Sequence, residues 1–382
     1  MEAARFDYVI VGAGLYGATF AERAVAAGKK VLVIDRRDKP GGNACTESVS
    51  GIHVHRYGPH VFHTNDKEVY DYLSGFCTLN SFVHTPKAFY RGNTYSLPFT
   101  MHTFREMWGD VSESEAREII RRQCAEIKHE PRNLEEQAIA TVGRDLYETL
   151  IRGYTQKQWG RECSALPPSI IKRIPIRFTF DSSYYNARYQ GIPTDGYTKM
   201  VERMLAGAEV RLGEDYFAKR DTYDSLAGKI IFTGSIDAYF GYSLGRLAYR
   251  TLTFEQEILD IDRYQTSAVV NYTDADVPWT RITEHKWFQP ETADTIRGTV
   301  ITREYSAEWE DGREPFYPVG DEASENLLKK YIELAKSRPN VLFGGRLGRY
   351  RYLDMDAVVR MALDDAKAEL RPEKAGRQRE SG

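Results

Sequence analysis

An α/β fold, with a parallel sheet whose chain is interrupted by a helical segment and an antiparallel sheet, is what this 382-residue sequence predicts. Three observations carry that expectation. Apolar runs of the buried-strand type, FDYVIV at 6–11 and VLVID at 31–35, flank the helical stretch ATFAERAVAAG, a strand–helix–strand unit that calls for parallel strands. Between residues 100 and 165 the apolar period becomes helical. Residues 265–305 then alternate in QTSAVVNY, WTRITEHKWF and RGTVITREY, as antiparallel strands require.

Directly after the first strand, Gly12, Gly14 and Gly17 spell GxGxxG at the start of a helix. Glycine there permits a tight turn and lets backbone amides reach a pyrophosphate at the helix N-terminus. Asp35 closes the second strand, where a carboxylate can accept hydrogen bonds from an adenosine ribose. Together these features predict a Rossmann-type dinucleotide-binding domain. Gly41, Gly42 and Asn43 follow the acidic residue as a glycine pair typical of FAD proteins, although a plain turn has the same composition. Near the C-terminus, NVLFGGR is a strand running into Gly344 and Gly345, and Asp354 begins the next helix. A positive helix end there favours an anionic reduced flavin, while a simple turn accounts for the two glycines equally.

The remaining elements follow in order. Val69, Tyr72, Leu73 and Phe76 share one helical face, and Ser112 and Glu115 stand at capping-box spacing. A helix starting at Asn133 carries the stripe Leu134, Ala138, Val142, Leu146 and Leu150. LPPSIIKRIPI at 166–176 contains Pro167, Pro168 and Pro175 and reads as a loop that moves. KIIFTG at 229–234 is a further buried strand. The domains expected are a discontinuous dinucleotide-binding domain of residues 1–80, 206–245 and 321–370, and a mainly helical domain of 81–165. A mobile lid loop and the start of the sheet domain occupy 166–205, the antiparallel sheet domain 246–320, and a frayed tail 371–382.

Charges of both signs sum to only −3, which argues against a nucleic-acid partner, because phosphate backbones call for clustered Lys and Arg. No run approaches the roughly 18 apolar residues of a membrane span, and MEAARFDYVIVG is unlike a signal peptide, so the expected location is cytoplasmic. Cys45, Cys77, Cys124 and Cys163 are far apart and lack CxxC spacing, which reads as four reduced thiols. His60 and His63 are three apart, but nothing at ligand spacing completes a metal site, so none is expected. The sequence has no GxSxG elbow and no HExxH, hence no evident nucleophile of its own. Its 25 tyrosines suit either a wet sugar-binding cleft or a tyrosine-rich core.

The motifs GGNACTE, RYGPHVFHTND, GYTQKQWG, IIKRIPIRF, YQGIPTDGYTKM, YRTL, PWTRITEHKWF and GGRLGRYRYLDMD occur in that order. Through them the sequence resembles the bacterial UDP-galactopyranose mutases from residue 6 to about residue 365. The resemblance implies an FAD-binding domain in discontinuous segments, a helical domain, a six-stranded antiparallel sheet and a homodimer. It also implies an isomerase that interconverts UDP-galactopyranose and UDP-galactofuranose, for cell-surface polysaccharide biosynthesis, without net redox change. In the family, N5 of the reduced flavin attacks the anomeric carbon as UDP leaves, and a flavin-sugar iminium precedes ring reclosure. NAD(P)H is the implied external reductant.

Residue roles come from the same resemblance. Arg173 and Arg281 hold the pyrophosphate, a task that suits a guanidinium able to bind two phosphate oxygens and oppose the charge on the leaving UDP. With His60 against the flavin they are the catalytic candidates. Cofactor contacts extend to Leu15, Gly42, Asn43, Val61, Arg346, Asp354 and Met355. Tyr154 stacks on uracil with Thr155 and Trp159 nearby, and Leu150 supplies an aliphatic contact where some members carry phenylalanine. Tyr184, Tyr317 and Tyr352 reach phosphates or sugar, Asn271 and Glu304 line the cleft, and Arg250 lies near the substrate. His84 stands where relatives have asparagine. Competing readings are a mutase for another nucleotide-linked pyranose such as UDP-N-acetylgalactosamine, a net flavin oxidoreductase, and a non-catalytic nucleotide-sugar sensor.

Overall fold

The structure, a computed structural model, describes residues 5–171 and 176–370. Five short segments form a parallel sheet in the order Val341–Phe343, Ala227–Phe232, Phe6–Val11, Val31–Asp35 and Glu209–Leu212. Alternate side chains of its strands point to opposite faces, and each face is covered. Ile10, Val33 and Ile231 pack with Ala18 and Ala21 of the Leu15–Ala26 helix and with Val359 and Ala362 of the Met355–Glu369 helix. Val9, Leu32, Ile34 and Phe232 pack on the other side with Tyr216, Tyr223, Tyr239 and Tyr331. Gly344 is required by the first of these layers. A Cβ there would stand 2.0 Å from the Tyr16 ring, which cannot swing away because its hydroxyl donates to Asp365 at 2.6 Å.

A second sheet has seven strands, ordered Tyr317–Pro318, Tyr249–Leu259, Thr299–Glu308, Arg281–Glu284, Val269–Tyr272, Lys87–Tyr90 and Asn93–Ser96. It therefore holds one strand more than the six implied, and it is not wholly antiparallel, since Lys87–Tyr90 runs parallel to Val269–Tyr272. The extra pairing comes from a hairpin within the expected mainly helical segment 81–165. Its two-residue turn is Arg91 and Gly92, both at positive φ (47° and 85°), the geometry that matches strand twist. The expected sheet start in 166–205 is also different. Tyr189–Gly191 pairs with Phe62–Thr64 in a separate two-stranded ribbon, and the Tyr197–Met204 helix buries Tyr197, Met200, Val201 and Met204 in the core beneath the parallel sheet.

The helical region contains helices Met101–Trp108, Glu113–Cys124, Leu134–Val142 and Arg152–Trp159. Ser112 and Glu115 form the capping box, with Ser112 N–H donating to Glu115 Oε2 at 2.8 Å and Glu115 N–H to Ser112 Oγ at 3.3 Å. Asn133 Oδ1 accepts from Glu136 N–H at 2.9 Å. The stripe from Leu134 to Leu150 is buried in one core but is not one helix: Gly143, at φ 86°, ends it, and Tyr147–Ile151 is a single wide turn of π type.

Three contacts seat the Arg152–Trp159 helix on the sheet. Gly153 lies so close that an added Cβ would be 2.2 Å from the Thr273 carbonyl oxygen. Lys157 Nζ donates to the carbonyls of Tyr272, Val277 and Trp279 at 2.7, 3.0 and 2.9 Å. Arg250 Nε and Ser306 Oγ donate to the Gln158 carbonyl at 2.9 and 2.7 Å, satisfying an acceptor at the helix end. Residues 172–175, and with them Arg173, lie outside the described residues, as does the 371–382 tail. The four cysteines are free thiols, and among the described residues no helix is long and apolar enough to cross a membrane.

Gly153→Ala is expected to destabilise the protein by about 1–3 kcal/mol, because the backbone carbonyl it meets cannot yield. Chemical denaturation measures this, and an unchanged midpoint would contradict the close seating of the helix.

Candidate active site

A cleft of about 430 Å³ runs past the carboxyl ends of the parallel strands, where open α/β sheets bind ligands. Its floor is bare because glycines pack on one another. A Cβ on Gly17 would sit 1.9 Å from the Gly12 oxygen, one on Gly12 2.0 Å from Thr233 Oγ1, and one on Gly42 2.9 Å from the Gly14 Cα. Gly14 caps the Leu15–Ala26 helix without a side chain, so the helix N-terminus faces the cleft uncovered. Asp35 is fixed at the end of its strand, Oδ2 accepting from Ala13 N–H at 2.7 Å and Oδ1 from Arg37 N–H at 2.9 Å. Asn43, His60, Arg346 and Met355 line the same cleft. An elongated space with a glycine floor, a helix N-terminus and a carboxylate fits a pyrophosphate-linked dinucleotide.

Beside it the large sheet presents a second cluster. Strand register aligns Asn271 with Arg281 and Arg281 with Glu304. Arg281 Nη2 donates to the Tyr154 hydroxyl at 2.7 Å, and its Nε lies 3.2 Å from Glu304 Oε1. Burial works against the Arg281 charge, but Glu304, Tyr154, Tyr317 and Tyr352 outweigh it and the pKa is raised, so the group is a permanent cation. Burial holds the Glu304 carboxyl above its ordinary range, against the pull of Arg281. Asn271 Oδ1 is buried without a partner among the described residues. The rings of Tyr317 and Tyr352 lie 5.5 Å apart, with the Arg346 guanidinium 5.9 and 5.1 Å from them. Arg346 Nη2 donates to the Leu353 carbonyl at 2.6 Å.

Histidines form the wall between the two regions. His60 Nδ1 donates to the Gly58 carbonyl at 2.8 Å, which leaves Nε2 as the acceptor of the neutral ring. Burial pushes the His60 pKa down to about 4, with Arg346 and Arg281 adding to the effect and the Gly58 carbonyl opposing it. His63 stacks on Tyr185 at 3.6 Å and stands 3.9 Å from Asp354, while Tyr185 also stacks with His84 at 5.6 Å. Tyr184 meets His84 edge-on at 5.5 Å.

Not every expected site residue lies in this cluster. Val61 is buried in the core, and its neighbour His60 reaches the cleft instead. Leu150 is buried in the helical core, Thr155 is buried on the same helical segment, and Trp159 packs partly against that core. Arg250 is 2 % exposed, held by the Lys157 and Gln158 carbonyls and by Glu308 at 2.8 Å, so it anchors the helix that carries Tyr154. Asp354 caps its helix at an exposed position. Other cleft residues went unnoticed in the sequence. Arg37 lies 4.1 Å over the Tyr57 ring, donates to Asn43 Oδ1 at 3.1 Å and pairs with Glu314, drawing the segment from Trp309 to Pro315 over the cleft. The Arg36–Arg37 pair after VLVID was the available signal. The 309–315 segment gives none, because only tertiary pairing brings it there.

These features define a class, an enzyme built on a Rossmann domain of the flavoprotein type. Residues 10–76 match the NAD(P)-binding Rossmann-like domain, and residues 149–352 match the UDP-galactopyranose mutase family. A "Probable UDP-galactopyranose mutase" of Klebsiella pneumoniae is 40 % identical over 366 residues, covering 94 % of each chain. A dTDP-fucopyranose mutase of Escherichia coli is 37 % identical over 374 residues, 96 % of this chain and 99 % of its own. The crystal structure of a reduced UDP-galactopyranose mutase superposes with a TM-score of 0.71 at 16 % identity, covering 97 % of this chain and 94 % of that one. A putrescine oxidase shares the fold at a TM-score of 0.55 and 13 % identity, so the architecture alone does not choose the reaction. The chain belongs to the UDP-galactopyranose mutase family and is an isomerase of that type.

Burial keeps His55 well below its usual pKa of 6.5 and lowers His84 and His285 to about 3. As pH falls below 6.5 the unfolded chain therefore takes up protons that the folded chain refuses. Stability is full above about pH 6.5 and is lost progressively as pH falls towards about 3, by up to about 1.4 kcal/mol per pH unit for each imidazole. Urea melts at about pH 7 and about pH 5 should differ in that direction; equal stability would show that these rings titrate normally.

Proposed function

We propose that the glycine-floored cleft holds FAD and that the reduced holoenzyme interconverts UDP-galactopyranose and UDP-galactofuranose. The observation that carries this reading is the half-buried Arg281, paired with Glu304 and Tyr154 beside the cleft. A fixed cation among tyrosine hydroxyls suits a sugar diphosphate whose negative charge grows as the anomeric C–O bond breaks. When bound and reduced, the flavin supplies the electron-rich nitrogen nucleophile that the chain itself lacks, with NAD(P)H as the external reductant.

The chain's own residues bind and orient. Arg281 receives the diphosphate, Glu304 holds the guanidinium on their common face of the sheet, and Tyr154 offers its ring to the base. Arg173 is assigned the second phosphate contact. Tyr184, Tyr317 and Tyr352 donate to phosphate or sugar, Asn271 offers its carbonyl to a hydroxyl, and Leu150, Thr155 and Trp159 back the base from the helical side. Neutral His60 presents Nε2 as an acceptor to the cofactor. A homodimer in the cytoplasm is the assembly and location we assign. A second reading is favoured by the dTDP-fucopyranose mutase relative, which spans the same length and makes a thymidine-linked 6-deoxy sugar an alternative substrate.

The test uses dithionite-reduced protein with UDP-galactofuranose, UDP-N-acetylgalactosamine and dTDP-fucofuranose in parallel. UDP-galactopyranose should form fastest, without stoichiometric consumption of NADPH. Equal turnover by oxidised protein, or stoichiometric NADPH use, would sink the mutase reading, and a preference for the fucose donor would favour the second. Arg281→Ala should cost on the order of 3 kcal/mol in kcat/KM while FAD stays bound; near-normal turnover would remove Arg281 from the site.

A further inference from the structure

Residues 57–61 bring His60 to the cleft without belonging to a strand or helix, and beyond the Arg56 N–H bond to the Cys45 carbonyl at 3.0 Å no ladder fixes the backbone there. Side chains do so instead. The His60 N–H donates to His55 Nδ1 at 3.0 Å, and the His60 carbonyl accepts from the Tyr197 hydroxyl at 3.2 Å. That hydroxyl in turn accepts from the Phe62 N–H at 2.9 Å. His55 is wholly buried, stacked on Phe288 at 4.5 Å and met edge-on by Tyr197 at 5.6 Å. The backbone N–H of His55 donates to His285 Nδ1 at 3.2 Å, and His285 Nε2 lies 2.8 Å from Thr302 Oγ1.

These bonds fix the protons. A ring nitrogen that accepts carries none, so His55 and His285 are both neutral with hydrogen on Nε2. His55 Nε2 has no partner among the described residues. A buried, unpaired N–H is destabilising, so an apolar ring would serve packing better than this imidazole does. What the imidazole supplies is the acceptor for His60.

We infer that His55 is a positioning residue: its buried Nδ1 holds the His60 peptide so that the His60 ring enters the cofactor cleft with Nε2 as its acceptor. This rests on the reading of that cleft as a flavin site. His60 Nδ1 is committed to the Gly58 carbonyl, so any slip of the 58–60 backbone turns the ring away.

The test compares His55→Asn, whose side-chain oxygen can take the place of Nδ1, with His55→Phe, which keeps the stacked ring but has no acceptor. His55→Leu is a smaller apolar variant should the phenylalanine not fit. In FAD-free protein, amide hydrogen exchange of segment 56–61 should remain slow in wild type and His55→Asn and accelerate in the apolar variants. In holoenzyme, the apolar variants should lose about tenfold in kcat with a shifted flavin midpoint potential, and His55→Asn should recover most of both. The reverse ranking, with the apolar variants matching wild type and asparagine impaired, assigns His55 to packing and overturns the inference. If the protein takes up no FAD, the flavin reading fails while the exchange result still decides the role of His55.

Discussion

A half-buried guanidinium, that of Arg281, is the constraint on which the rest of this structure depends. Removing such a charge from water is costly unless a partner and further hydrogen bonds compensate, and removing the partner leaves the cation stranded. Strand register supplies the partner: Glu304 faces Arg281 across one pair of strands, with Oε1 3.2 Å from Nε, and the Tyr154 hydroxyl, reaching in from the helical region, accepts from Nη2 at 2.7 Å. The sheet register is therefore a property of the site as much as of the fold. A one-residue slip would turn Arg281 to the opposite face.

Two further cations, half-buried Lys157 and buried Arg250, hold the pieces in place. Lys157, whose pKa burial lowers to about 8, still satisfies three carbonyls of the sheet's 272–279 edge, and Arg250 closes the end of the same helix. Through them the helix bearing Tyr154 is tied to the strand bearing Arg281. On the cleft side, glycines remove side chains where two loops and a helix end converge, which leaves backbone amides as the lining. Tyr147, Tyr197, Tyr223, Tyr249 and Tyr331 are core residues, while Tyr154, Tyr184, Tyr317 and Tyr352 stand around Arg281.

Much of this was legible in the sequence where a local rule sufficed. The glycine fingerprint, Asp35 and the Ser112 capping box each announce themselves within a dozen residues, whereas WTRITEHKWF forms a strand only at Arg281–Glu284 and turns into a 3-10 helix at His285–Phe288. What escaped depends on tertiary choice. The strand Glu209–Leu212 lies at a sheet edge and is half exposed, so no apolar run marks it. The stripe from Leu134 to Leu150 keeps its burial through a chain break at Gly143, which periodicity cannot show. Arg250 and Arg281 look alike as arginines in strands, yet one is consumed by helix-end carbonyls and the other faces the cluster. The family motifs identified the neighbourhood, and only the packing separates anchors from ligands within it.

The central claim is that Arg281, held by Glu304, receives the diphosphate. Calorimetric binding of UDP and of uridine to the wild type and to Arg281→Lys tests it most directly, since lysine keeps the charge but loses the planar fork. Wild type is expected to prefer UDP strongly, and the variant to lose much of this preference while its uridine affinity is unchanged. An undiminished preference for UDP, or an equal loss for both ligands, would contradict it.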